Sequence, residues 1–278
     1  MTHALRVGVV QLASGIDPAA NAAAVAEALR TAATQHAQIA FTPEMSGLLD
    51  RDRTRLLGHA HAEAGDPTLA AARTVARETG MWVQLGSLAV RPAPQAGRLV
   101  NRAFLIDGTG EIVARYDKIH LFDVDLGEGQ RYRESATFAP GDRAVVAPTP
   151  WGPLALSICY DMRFPELYRA LAEAAPAMIA VPAAFTRPTG EAHWHTLLRA
   201  RAIETGAFVI AAAQSGQHED GRETWGHSLV VDPWGVVLAD MGEGAGVRMI
   251  EVDLGAVASA RGRLPMLAHR RRFASLTY

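Results

Sequence analysis

Three connections in this sequence are too short to hold a helix. Asp107-Gly108-Thr109-Gly110, Thr149-Pro150-Trp151-Gly152 and Asp232-Pro233-Trp234-Gly235 each separate two apolar runs of strand length, and their Gly, Pro and Asp residues supply turn geometry. Each therefore joins an antiparallel pair. Elsewhere, alanine-rich amphipathic stretches at about 18–36, 66–79, 165–175 and 191–206 lie between the apolar runs, the alternation of an α/β chain. Parallel strands need such crossovers and antiparallel ones do not, so the sheets must be mixed. About twelve strand-length runs occur between Arg6 and Val252, with four or five helices. The expected layering is a four-layer α-β-β-α sandwich: two mixed sheets face to face, with helices outside. No repeat and no long Ser/Gly/Pro linker divides residues 1–278, which read as one domain.

Composition narrows the partners. The formal net charge is -2, with 20% charged and 49% hydrophobic residues, which gives no electrostatic reason to bind nucleic acid or an anionic membrane. No apolar run approaches the ~20 residues of a spanning helix. The N-terminus also lacks a basic stretch followed by a long apolar one. Cys159 is the sole cysteine, which excludes an intramolecular disulfide and a Cys-rich zinc site. These features point to a cytoplasmic protein whose ligand is a small molecule.

Cys159 ends a buried strand, Leu154-Ala155-Leu156-Ser157-Ile158, and is followed by Tyr160, Asp161 and Arg163, then by Pro165 and Glu166 in what reads as the first turn of a helix. Backbone N–H groups and the helix dipole there would favour a thiolate. A small buried hydrophobe is the competing reading. A nucleophile also needs a base and something to hold an oxyanion. In Ile39-Ala40-Phe41-Thr42-Pro43-Glu44-Met45, a carboxylate follows an apolar strand and a proline, where desolvation would raise its pKa toward neutrality. In Tyr116-Asp117-Lys118-Ile119-His120, a lysine lies at the end of a hairpin strand, placed to polarise a carbonyl. Taken singly, Glu44 reads more often as a helix-start acid and Lys118 as a snorkelling surface residue.

Taken together, the segments Ser157–Leu167, Tyr116–Asp123 and Thr42-Pro43-Glu44 resemble the carbon–nitrogen hydrolase (nitrilase) superfamily, with similarity from about residue 5 to Arg272. The resemblance implies a Glu–Lys–Cys amidase with no cofactor and no metal. Glu44 would be the general base and Cys159 the nucleophile, with Lys118 and the backbone N–H of Tyr160 forming the oxyanion hole. A second glutamate, positioning the substrate nitrogen or the attacking water, is assigned to Glu134 in Arg131-Tyr132-Arg133-Glu134-Ser135, with Glu128 as its rival.

The stretch Pro182–Glu204, with Ala211-Ala212-Ala213-Gln214, Trp225-Gly226-His227-Ser228 and Val231–Gly235, is similar to the deaminated glutathione amidase branch. That implies a 2-oxoglutaramate-type head whose terminal amide is cleaved to 2-oxoglutarate and Cys-Gly. Such a head calls for a guanidinium and a hydroxyl, for which Arg163 and Thr189 are the candidates, with Phe185 as a pocket wall. Omega-amidase action on 2-oxoglutaramate or another small amide is the alternative within the class, and a non-catalytic binding protein on the same fold is the alternative outside it. Arg163 also reads as a structural partner of Glu166 or Asp161, and Thr189 as the cap of a helix starting near Glu191. His193 and His195, at i, i+2, point apart on a helix and no third ligand is evident, so no metal site is expected. Finally, the resemblance implies a homodimer or higher homo-oligomer, and the tail Leu264–Phe273 mixes apolar and basic residues suited to docking on a second copy.

Overall fold

The computed structural model describes residues 4–93, 95–127, 131–271 and 273–274. The first half of the chain runs β1 (Ala4–Gln11), α1 (Pro18–Thr34), β2 (Ile39–Phe41), α2 (Arg53–His59), α3 (Pro67–Thr79), β3 (Trp82–Val90), β4 (Val100–Ile106) and β5 (Ile112–Asp117). A small hairpin of β6 (Asp123–Asp125) and β7 (Arg131–Arg133) follows. The second half runs β8 (Val145–Ala147), β9 (Leu154–Leu156), α4 (Pro165–Ala172), β10 (Met178–Ala180), α5 (Arg187–Thr205) and β11 (Phe208–Ala211). It ends with β12 (Ser215–Gln217), β13 (Glu223–Trp225), β14 (Leu229–Val231), β15 (Val237–Asp240), β16 (Gly246–Asp253) and α6 (Gly255–Arg263).

Two six-stranded sheets result, in the orders β16-β1-β2-β3-β4-β5 and β15-β14-β11-β10-β9-β8. The pairs β1–β2, β2–β3, β9–β10 and β10–β11 are parallel and are joined through α1, α3, α4 and α5. The three short turns join the antiparallel pairs β4–β5, β8–β9 and β14–β15. Both sheets are therefore mixed, as the turn lengths require.

The pleat sorts the apolar residues. Leu5, Val7 and Val9 of β1 join Phe41, Leu105 and residues of the second sheet in one core cluster, whereas Val10, Ala40, Val83, Leu85 and Phe104 pack against Val25, Leu29, Leu69 and Val75 of α1 and α3. On the far side, Tyr168 and Leu171 of α4 and Trp194 and Leu198 of α5 cover the second sheet. Each such fully buried side chain contributes about 1.5–3 kcal/mol. The four-layer α-β-β-α sandwich follows.

Local departures from expectation have local causes. Helix α2 buries only Leu56, so it shows no amphipathic stripe, and the strands of the β6–β7 hairpin have three residues each. Helix α5 starts at Arg187 rather than near Glu191, because Pro188 is accommodated in a first turn, where backbone N–H groups have no intrahelical partner. No helix among the described residues is long and apolar enough to cross a membrane.

Candidate active site

The ends of the strands place the polar groups. Glu44 stands in the turn after β2, whose backbone is held by β3: the N–H of Gly86 donates to Thr42 Oγ1 (2.9 Å) and the N–H of Met45 to Ser87 Oγ (3.0 Å). Gly86 lies so close to the carbonyls of Thr42 and Pro43 that any Cβ would overlap both, which is why a glycine stands there. Lys118 follows β5; its N–H donates to the Asn101 carbonyl (2.9 Å), and its own carbonyl accepts from Gly141 (2.8 Å). Cys159 opens a 3-10 turn, Cys159–Arg163, with φ 49°, a conformation that strains a non-glycine residue by about 1–3 kcal/mol, and donates its N–H to the Pro182 carbonyl (2.9 Å).

Asp161 ties the cysteine turn to the lysine loop. Fully buried, it accepts from the Ile158 N–H (2.9 Å), the Tyr116 hydroxyl (2.7 Å) and the His120 N–H (3.0 Å), and lies 2.7 Å from His120 Nδ1. The residues two before and two after Lys118 are thereby fixed to the turn that carries Cys159.

The result is a shared network. Lys118 Nζ donates to Glu44 Oε1 (2.8 Å) and to Glu134 Oε2 (2.9 Å) and Oε1 (3.1 Å). The Asn101 amide, from β4, donates to Glu44 Oε1 (2.9 Å) and Glu134 Oε1 (3.2 Å). Backbone completes the set: Ala184 N–H donates to Glu44 Oε2 (2.8 Å), and Phe122 N–H is a second donor to Glu134 Oε2 (2.6 Å). The Cys159 thiol shares the cavity with Glu44, whose charge acts on it. Gln214 donates to the Glu44 carbonyl (3.0 Å).

Electrostatics assigns the protons. Burial pushes the Glu44 carboxyl up, but the charge and hydrogen bond of Lys118, with a hydrogen bond from Asn101, outweigh it and hold the group below the usual carboxylate range. Burial would also lower Lys118, yet the charges of Glu134 and Glu44 keep it well above its ordinary value. Burial and then the negative charge of Glu44 push the Cys159 thiol well up, only partly offset by Lys118 and the Ala184 N–H. Two expectations are corrected here. Glu44 does not rise toward neutrality, because a cation at 2.8 Å outweighs desolvation. Nor does Cys159 rest as a thiolate, because burial and a carboxylate beside the sulfur outweigh the cation. What stands here is a protonated thiol against an ionised carboxylate, a pair able to pass a proton as the sulfur attacks.

Glu44, Lys118, Glu134 and Cys159 face one cavity of about 360 Å³, within the range of small-molecule sites. Tyr160, Phe185 and Thr189 are on its wall. The Tyr160 ring packs against Phe122 (5.0 Å) and Phe164 (5.2 Å), and Phe185 against Trp194 (5.0 Å). Thr189 lies in the first turn of α5 rather than in a loop or at a cap, with Oγ1 2.8 Å from Thr186 Oγ1. Arg163 does not reach the wall. Its guanidinium stands over Phe185 (5.2 Å) and Tyr160 (5.9 Å), with Nη1 3.2 Å from His193 Nδ1, and it pairs with neither Glu166 nor Asp161. Glu128 lies outside the described residues.

His193 and His195 do diverge: the first meets Arg163, the second lies 2.9 Å from Asp240. His195 has long-range neighbours that its local spacing does not reveal, since Asp240 also meets His227 (2.9 Å). Asn101 and Asp161 were likewise missed as site residues. A polar residue inside the apolar run Val100–Ile106 was the signal for Asn101, whereas the partners of Asp161, apart from Ile158, lie 41 to 45 residues away.

A buried Glu–Lys–Cys cluster at the strand ends of two stacked mixed sheets defines a hydrolase of carbon–nitrogen bonds in amides. The carbon–nitrogen hydrolase family model matches residues 6–262, and the chain belongs to that family. It is 39% identical to the deaminated glutathione amidase of Yersinia enterocolitica over 271 residues, 97% of this chain and 94% of that protein. Among solved structures it is similar to the C. elegans NitFhit protein, with TM-score 0.90 and 36% identity, over 97% of this chain and 66% of that one. It is also similar to an amidase from Nesterenkonia (TM-score 0.80, 28% identity, 97% of this chain and 94% of that one), seen as a mutant with the acetamide moiety of fluoroacetamide added covalently at the active site cysteine.

Proposed function

We propose that the protein hydrolyses deaminated glutathione to 2-oxoglutarate and Cys-Gly through an acyl-Cys159 intermediate. The observation that carries the mechanism is the one cavity on which Cys159, Glu44 and Lys118 meet, with Glu44 held by Lys118 at 2.8 Å. As sulfur attacks the amide carbon, its proton passes to Glu44. The oxyanion forms beside Lys118 and the Tyr160 N–H, worth about 2.7–4 kcal/mol per donor where such donors have been removed. Glu44 then gives its proton to the departing amine. Water, oriented by Glu134, attacks the thioester with Glu44 again as base, which frees the acid and restores the thiol. No step needs a metal or cofactor.

The substrate reading is supported by the similarity to the Yersinia amidase and by a cavity wall that offers the Thr189 hydroxyl and the Phe185 face. Arg163, standing behind Phe185 and Tyr160, holds those rings in place. We read residues 1–278 as one catalytic domain, and the lone cysteine as suited to the reducing cytoplasm. A homodimer or larger assembly fits a tail whose Phe273 is 84% exposed.

The test pairs kinetics with mass spectrometry. With deaminated glutathione, the expected results are an acyl adduct on Cys159 and a kcat/KM above that for 2-oxoglutaramate. A preference of about tenfold or more for 2-oxoglutaramate, about 1.4 kcal/mol, overturns the substrate. Undiminished activity in Cys159→Ala overturns the mechanism.

A further inference from the structure

The mouth of the cavity carries charge that the catalytic floor does not use. Among the described residues its wall holds six cationic and four anionic side chains, on a chain of net charge -2. The anions are taken: Glu44 and Glu134 by Lys118, Asp50 by Arg55 and Glu223 by Arg187. Carboxylates beyond the wall are engaged too. Asp52 accepts the Arg55 N–H (3.0 Å), Asp125 pairs with Arg131 (2.7 Å) and Asp220 with Arg222 (2.8 Å).

That leaves Arg51, Arg53 and Arg133, all exposed, without an ion-pair partner among the described residues. Arg51 meets the Tyr132 hydroxyl at 3.5 Å, and Arg53 the Ala136 carbonyl at 3.2 Å, both neutral oxygens. Three guanidiniums from two separate segments, one entering α2 and one ending β7, thus open on the same cavity without an ion-pair partner among the described residues, although Asp123 and Asp125 act on Arg133 at longer range. Clustered like charges repel, and an anion relieves them.

We propose that Arg51, Arg53 and Arg133 form a distal subsite for a free carboxylate on the leaving-group side of the amide. This rests on the substrate proposed above, whose leaving group is a dipeptide ending in a carboxylate. Two extended residues span at most about 7 Å, which carries that carboxylate away from the buried floor toward the exposed end of the cavity. Guanidinium suits it, because its planar fork pairs with a carboxylate through two parallel N–H···O bonds. The acyl head is then fixed by the floor and the tail by the rim.

The experiment compares deaminated glutathione with its C-terminal carboxamide, identical except for the tail charge. In the wild type, kcat/KM for the acid exceeds that for the carboxamide by about tenfold or more. In the triple variant Arg51→Ala, Arg53→Ala, Arg133→Ala that ratio falls to within about threefold of one, and in Arg133→Glu it falls as well. A ratio is insensitive to any misfolded fraction. Because the three side chains are exposed, raising salt from about 0.02 to 0.5 M also shrinks the wild-type ratio. Equal cleavage of acid and carboxamide by the wild type, or a ratio untouched by the substitutions, overturns the subsite and leaves the proposed function standing. Cleavage of 2-oxoglutaramate with neither tailed amide overturns the substrate reading, and the subsite with it.

Discussion

The floor and the mouth of this cavity are built on opposite terms. At the floor, Glu44, Lys118 and Asn101 are at most 4% exposed, and with Glu134 they satisfy one another's charges and hydrogen bonds. At the mouth, Arg51, Arg53 and Arg133 face solvent without an ion-pair partner among the described residues. Removing an ion from water carries an effective penalty of several kcal/mol, which only close pairing offsets, so a buried network fixes its geometry before any substrate arrives. An exposed, unmatched cluster fixes little and responds to whatever charge enters. The difference teaches that the floor sets which reaction runs while the mouth chooses among amides. Substitutions at the floor should therefore strike stability and chemistry together, and substitutions at the mouth should change substrate preference.

Lys118→Ala is the sharpest way to break that division. It leaves Glu44 and Glu134 facing each other without their cation, so we expect a loss of about 3–5 kcal/mol in denaturant unfolding. Hydrolysis should fall by at least about 10²-fold, since the developing oxyanion loses its charge partner. A protein destabilised by less than about 1 kcal/mol would show that the floor is not a closed network. Asn101→Ala is the smaller version: one amide that donates to both carboxylates is lost, with about 1–3 kcal/mol expected by the same measurement. If it instead left stability unchanged, Lys118 alone would suffice to hold the two glutamates.

How far the sequence reveals this division depends on distance along the chain. The mixed sheets were legible because turn length and apolar alternation are local, and Asp232-Pro233-Trp234-Gly235 needs no tertiary context to be read as a hairpin. The segments carrying Glu44, Lys118 and Cys159 were legible because each breaks an apolar strand with a polar residue. What escaped is set by contacts between remote segments. Asp161 acts through Tyr116 and His120, and Asn101, a polar residue in an apolar run, shows its role only once β4 is placed beside Lys118. The protonation states escaped for the same reason. Desolvation was foreseeable at Glu44, but the cation that outweighs it comes from a residue 74 positions away. Arg51 and Arg53 carry no local mark, because being without a partner is a property of the whole neighbourhood.

The pH profile is the finest discriminator, because it asks whether the floor is already in its working protonation state. The pH dependence of kcat/KM reports groups of the free enzyme. Glu44 is held below the usual carboxylate range, so its ionised form, and the stability it contributes, are present above the ordinary value near 4.3 and are lost only as pH falls through a lower value. Cys159 and Lys118 lie well above their ordinary ranges, so the neutral thiol and the cation persist until strongly alkaline pH. Lys118, raised in the fold, contributes stability that is fully present below its unfolded value and lost only as pH rises past its folded one. Between about pH 6 and 8, kcat/KM for an uncharged amide should therefore vary by less than about twofold, measured at constant ionic strength. A limb centred near pH 7 would mean that Glu44 is driven up by burial after all, and that the Lys118 contact is weaker than its 2.8 Å separation implies.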